Sequence, residues 1–179
     1  MTSLELYKII RPIIINVTGV PVVILANPNE AAPKGPYAAV QPKQSVNQEG
    51  QANNYRENNG TDNLDVDSRA QVVAECSVNF YRGDAVTFAE LLQQANRKQS
   101  VADALFKSKV GWKRTGPINN LTFLQSNNWE NRAQISIFLT YEEVSNPETI
   151  NSIERVPFEL QNKDADILLS GEVVTPDAP

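Results

Sequence analysis

The sequence predicts an α+β fold, a mostly antiparallel sheet with helices packed on one face. Three observations predict it. Ala70, Val72, Ala74, Cys76, Val78 and Phe80 occupy alternate positions, and so do Ala133, Ile135, Ile137, Leu139 and Tyr141. Alternation of this length describes strands with one face in a core. Between these segments the period changes: Val86, Phe88, Ala89, Leu91, Leu92 and Ala95 fall on one helical stripe. The strands flank a helical pair and do not alternate with helices one by one, which argues against a parallel βαβ sheet. A chain of 179 residues is about one domain in size. The expected organisation is a single α+β domain over 1–161 and an acidic, flexible tail over 162–179.

Each element has its own signal. Thr2 to Glu5 fits a capping box, with a hydroxyl at the cap and a carboxylate three residues on. Leu6, Ile9, Ile10, Ile13, Ile14 and Val17 then form one helical face, with Gly19 as the stop. Pro12 is expected to kink or divide this helix. Pro21 to Leu25 reads as a short buried strand, and Tyr37 to Val40 as the next. The segment from Gln41 to Asn63 is rich in Asn and Gln and nearly free of apolar residues. Burial cannot offset its ordering entropy, so a long loop or hairpin tip protruding over 44–68 is expected. After the long strand ending at Tyr81, Asp84 is placed to cap one helix and Ser100 a second, which Gly111 ends. Ile118, Leu121 and Phe123 suggest an irregular strand, with turns at Asn127-Asn128 and Asn146-Pro147. Ile153, Val156, Phe158 and Leu160 give a last, less regular strand, and Pro157 suggests an edge.

Composition excludes several chemistries. There is no histidine and one cysteine, so no Ser-His-Asp triad, Cys-His pair, Cys-based zinc cluster or internal disulfide can form. No phosphate-cradling glycine loop occurs. Glu142 and Glu143 are adjacent on a strand and face opposite sides, so they cannot flank one bond as acid and base. Asp62, Asp65 and Asp67 lack the glycine and distal glutamate of a calcium loop and read as a solvated acidic segment. Cys76 lies on the apolar face of its strand and reads as a small hydrophobe. Neither an enzyme nor a cofactor or metal site is expected. The opening residues lack a secretory pattern, and the most apolar stretch, from Ile9 to Leu25, is broken by Arg11, Pro12 and Asn16. The expectation is a protein assembled in a cytosol, with no membrane partner.

Two groups stand out as candidate contact residues. Lys107, Lys109, Lys113 and Arg114 surround Trp112. Such a patch suits nucleic acid, or it is a helix end whose lysines complement the dipole. The chain is acidic overall, at −5, and nine acidic residues follow Tyr141 against Arg155 and Lys163. A basic part and an acidic part in one chain suit head-to-tail contacts between copies. Trp129 and Arg132 precede the second alternating strand. Trp129 reads as a core or interface anchor, and Arg132 as a partner for Glu130 or a neighbouring chain.

The segments Leu6-Tyr7-Lys8-Ile9-Ile10-Arg11-Pro12, Thr18-Gly19-Val20-Pro21, Ala26-Asn27-Pro28-Asn29 and Pro33-Lys34-Gly35-Pro36-Tyr37 follow one another in an ordered series. Ser77 to Ala85 and Trp129 to Ala133 continue it. In order and spacing this series resembles the neck and tail terminator proteins of long-tailed phages, over most of residues 4–160. The polar segment at 44–68 is longer than that pattern. The resemblance implies a tail-terminator-like α+β fold and a structural virion protein at the tail–neck junction. It implies a ring, commonly of six subunits, that caps the tail tube and joins it to the neck or head-completion proteins. A sheath is a further partner in contractile tails, and genomic DNA passes through the lumen. Another tube, tail-completion or baseplate component and a small nucleic-acid-binding module are the alternatives.

Overall fold

The computed structural model describes residues 1–26, 31–58, 63–125, 128–145, 148–151, 155–161 and 167–174. Helix α1 (Ser3–Thr18) begins at the expected capping box: the Thr2 hydroxyl accepts from the Glu5 amide at 3.2 Å, and Glu5 Oε2 accepts from the Thr2 amide at 2.7 Å. Leu6, Ile10, Ile13, Ile14 and Val17 are buried. The helix runs through Pro12 without division. Pro12 is exposed, and the buried isoleucines on both sides of it hold each half against the same core. Gly19 closes the helix at φ 73°, donating to the Ile15 carbonyl, a conformation that favours a residue without Cβ. The buried Thr18 hydroxyl donates to the Ile14 carbonyl and accepts from the Val20 amide, so its polarity is satisfied.

Strand β1 (Val22–Leu25) pairs in parallel with the start of β2 (Tyr37–Asn58). It is an edge strand: Val23 is buried, while Val22 and Leu25 are each 38% exposed. The expectation of a buried strand is therefore corrected to a half-covered one. Strand β3 (Asn63–Tyr81) follows after four residues and lies beside β2. So short a connection allows only antiparallel pairing. The segment expected as a loop or hairpin tip is thus strand over 44–58 and 63–68. Backbone pairing, which side-chain hydrophobicity does not report, provides the order.

Helices α2 (Ala85–Gln93) and α3 (Gln99–Lys107) come next, with a 3₁₀ turn at Ala95–Arg97 between them. Lys98, and not Ser100, stands at the cap of α3, and Asp84 makes no side-chain capping bond. Gly111 lies within β4 (Val110–Thr115), so the helix ends four residues earlier than expected. Strand β5 (Asn119–Asn120) pairs with the start of β8, and β6 (Phe123–Gln125) with β7 (Asn128–Glu130). Strand β8 (Arg132–Val144) lies between β3 and β4, giving the order β1-β2-β3-β8-β4. Strand β9 (Glu148–Asn151) pairs with the first residues of β3. Strands β10 (Arg155–Gln161) and β11 (Ile167–Val174) form an antiparallel pair, so part of the expected flexible tail is strand. The turns expected at Asn127 and at Asn146-Pro147 lie outside the described residues.

The sheet is mostly antiparallel, and the α+β reading holds. The chain groups into two units, 1–52 with 70–143, and 53–69 with 144–179. In the first unit the alternating residues of β3 and β8 join the inward stripes of all three α-helices in one core. Phe80, Ile135, Ile137 and Leu139 are fully buried there. In the second unit, Asp65 accepts from the Thr149 hydroxyl at 2.9 Å, and Arg69 stacks over Tyr55 and pairs with Asp67 at 3.6 Å. Ser145 and Ser68 exchange hydrogen bonds beside them.

Candidate functional site

Within the first unit, the sheet face opposite the helices carries polar side chains that interlock. Glu75 accepts from the Ser136 hydroxyl at 2.8 Å and pairs with Lys43 at 3.3 Å. Gln134 donates to the Ser77 hydroxyl, and Arg132 to Asn79. Tyr37 and Tyr81 stack at 4.6 Å, with the Arg132 guanidinium 4.9 Å from the Tyr81 ring. These groups are matched within the chain. They tie neighbouring strands of the sheet together.

Cys76 points the other way, into the core, where burial pushes its thiol up to about 12. A thiol so placed stays protonated and out of reach of substrates. Of the three aspartates of the acidic segment, Asp65 and Asp67 are engaged as described, and Asp62 lies outside the described residues. Among the described residues, no group of three acidic or cysteine side chains converges for a metal ion.

Two apolar surfaces stand out among the described residues of the first unit. The first is a cleft of about 330 Å³ between α3 and β4, lined by Val101, Ala102, Leu105, Phe106, Val110 and Trp112 among others. Phe106 is 84% exposed. Trp112 is half-buried, and its indole N–H donates to the Thr115 hydroxyl at 3.0 Å, which fixes the ring along the cleft wall. Lys107 ends α3 and Lys109 follows in the left-handed region at φ 54°, both exposed beside the cleft. The other two members of the basic cluster are drawn elsewhere. A bulge in β4 carries Lys113 to an ion pair with Glu49, and Arg114 lies 3.6 Å over the Phe138 ring, on the polar sheet face. Lys107 and Lys109 are thus chain neighbours of the cleft residues Phe106 and Val110, whereas Arg114 lies on the polar sheet face.

The second surface is the β6–β7 pair. Leu124 and Trp129 are directly opposite in register, and are 57% and 72% exposed. The residues after Trp129 brace this pair. Glu130 meets Arg82 at 3.5 Å, Asn131 donates to the Gly83 carbonyl and accepts from the Arg82 amide, and Arg132 takes the place described above. Arg82 also donates to the Pro33 carbonyl at 2.6 Å. Of the two readings for Trp129, the core one is removed by its exposure.

The described helices include none long and apolar enough to cross a membrane. The braced apolar surfaces point to contacts with other chains. The sequence model of the phage neck terminator protein family matches residues 4–164. The chain belongs to the phage neck terminator family. A search of curated proteins returned no match. The role of this neck terminator is structural, and its place is the neck of the virion, among other neck and tail proteins.

Sequence reasoning missed Phe106 and Leu124. Phe106 had a signal: an aromatic outside the buried Val101–Leu105 stripe of an amphipathic helix has no partner within its own chain. Leu124 had none, because β6 is too short to show a period.

Proposed function

We propose that this phage neck terminator caps the finished tail tube as a closed ring of six subunits and presents the surface by which neck proteins join tail to head. One observation carries the reading. The two exposed apolar surfaces of the first unit differ from each other and flank opposite ends of β8. The β6–β7 pair lies at Arg132, where Leu121 donates to the Arg132 carbonyl. The cleft lies where Val110 pairs with Tyr141. Unlike surfaces suit heterologous contacts, which close into rings when the rotation permits. The six-fold number rests on the resemblance of the sequence to tail terminators.

In this reading one ring face matches the last tube ring and the other matches the connector. Growth ends because no second tube-like face is offered. The net charge of −5 favours a lumen that repels DNA and lets it slide during ejection. Lys107, Lys109, Trp112, Trp129 and Arg132, with Lys113 and Arg114, are the residues proposed for subunit or partner contacts, and in contractile tails the sheath is a further partner.

Purified protein mixed with tail tubes and viewed by electron microscopy tests the proposal. Six-fold rings seated on tube ends, with tube growth arrested, are expected. Open-ended stacking into tubes would instead assign a tube protein, and protein that ignores tubes would remove the terminator mechanism.

A further inference from the structure

We infer that the β6–β7 pair of one copy seats Leu124 and Trp129 in the α3–β4 cleft of the next copy. This inference rests on the ring reading and names its subunit contact. The donor surface is built for exposure. Glu130, Asn131 and Arg132 tether its base through four contacts, to Arg82, Gly83 and Asn79, while Trp129 stays 72% exposed. A bulky anchor held in place loses little further freedom when it docks.

The acceptor has the matching size and chemistry. A cavity of about 150 Å³ holds benzene, and the cleft offers about 330 Å³ between apolar walls with Phe106 at its rim. Aromatic residues paired across a boundary are the usual centre of a binding hot spot. Charge also fits. Lys107 and Lys109 flank the cleft residues Phe106 and Val110 in the chain, and the segment from Asn119 to Asn131 carries no basic residue to repel them. The donor of the same copy cannot fill its own cleft. From Arg132 to Tyr141, at about 3.4 Å per residue, β8 separates them by roughly 30 Å.

The area sets the behaviour. A fully buried aromatic covers on the order of 150–250 Å², and Trp129 is the one aromatic that the donor brings, with Leu124 beside it. A standard stable interface needs about 800 Å² per partner. A single contact is therefore an anchor, and closure, which gives every copy two contacts, is what makes the assembly last. Free protein is monomeric when dilute and oligomeric when concentrated or templated.

Cysteine cross-linking of the full-length chain tests the contact. Leu124→Cys and Ala102→Cys place one thiol on each surface, and the native Cys76 is buried. Under mild oxidation, mixing the two single variants is expected to give covalent dimers, and the double variant a ladder ending at a closed ring. Leu124→Cys giving dimers by itself would mean a symmetric contact and overturn the inference. So would rings on tube ends that yield no cross-link, in which case the ring reading survives. Failure to form rings alone or on tubes would remove both. A second variant guards the result: Trp129→Ser is expected to lower the oligomeric fraction at least tenfold with an unchanged melting temperature. If Phe106→Ser abolished binding of duplex DNA while leaving the oligomer intact, the cleft would belong to nucleic acid and the inference would fail.

Discussion

The covered face of β8 and the β6–β7 pair just before it use the same kind of side chain for opposite purposes. Ile137 is fully buried between the sheet and the helices, whereas Trp129 is 72% exposed. The buried residue is held by everything around it, and its loss opens a cavity. The exposed residue touches little within the chain, and its base, not its ring, is where the structure invests hydrogen bonds and ion pairs. Apolar character alone therefore says nothing about role; the bracing around it does.

The comparison can be broken by substitution. The largest stability loss is expected from Ile137→Ala, about 2–5 kcal/mol from lost burial plus a cavity. Denaturant unfolding reads it, and a loss below about 1 kcal/mol would show that the sheet–helix core is loosely packed. Glu75→Ala strips the polar face of a partner for both Ser136 and Lys43, and a loss on the order of 1 kcal/mol is expected. A similar loss of about 1 kcal/mol is expected for Thr2→Ala, which removes the cap of α1.

The cap also sets a pH dependence. The backbone hydrogen bond from Thr2, then the bond to its side chain, hold Glu5 below the usual carboxylate value of 4.5. The contribution is complete above the unfolded pKa and disappears as pH falls through the lower folded one. Acid titration of stability should therefore be shallower in Thr2→Ala than in the parent. At the smallest end, Trp129→Ser and Phe106→Ser should alter stability by no more than about 0.5 kcal/mol. A drop of several kcal/mol at either would place that residue in the core and erase the contrast.

Cys76 offers an independent readout of the core. Its thiol is buried and raised to about 12, so alkylation at pH 8 should proceed only through unfolding and accelerate in Ile137→Ala. The sign of its own linkage is negative at high pH: stability falls as pH rises from the ordinary thiol value of 9.0 toward about 12.

Much of this was legible in the residues. The capping box, Gly19 and the alternations of β3 and β8 were readable because local hydrogen bonding and burial each leave a periodic trace. The polar part of β2 was not. Its order comes from backbone pairing with β3 and from pairs such as Lys43–Glu75 and Glu49–Lys113, partners far apart in sequence. Lys107 to Arg114 read as one basic patch because a sequence cannot show the bulge in β4 that sends Lys113 to Glu49 and Arg114 to Phe138. Trp129 was legible as an anchor, but core and interface differ only in what covers the ring. The order of several short segments carried the resemblance to terminators, and no single residue did.

The most direct test of the assembly account is light-scattering mass after size exclusion, for the parent and Trp129→Ser, across one concentration series. The account expects the parent to rise from monomer toward a closed ring while Trp129→Ser stays monomeric with an intact fold. A variant that assembles along the same curve as the parent would contradict it.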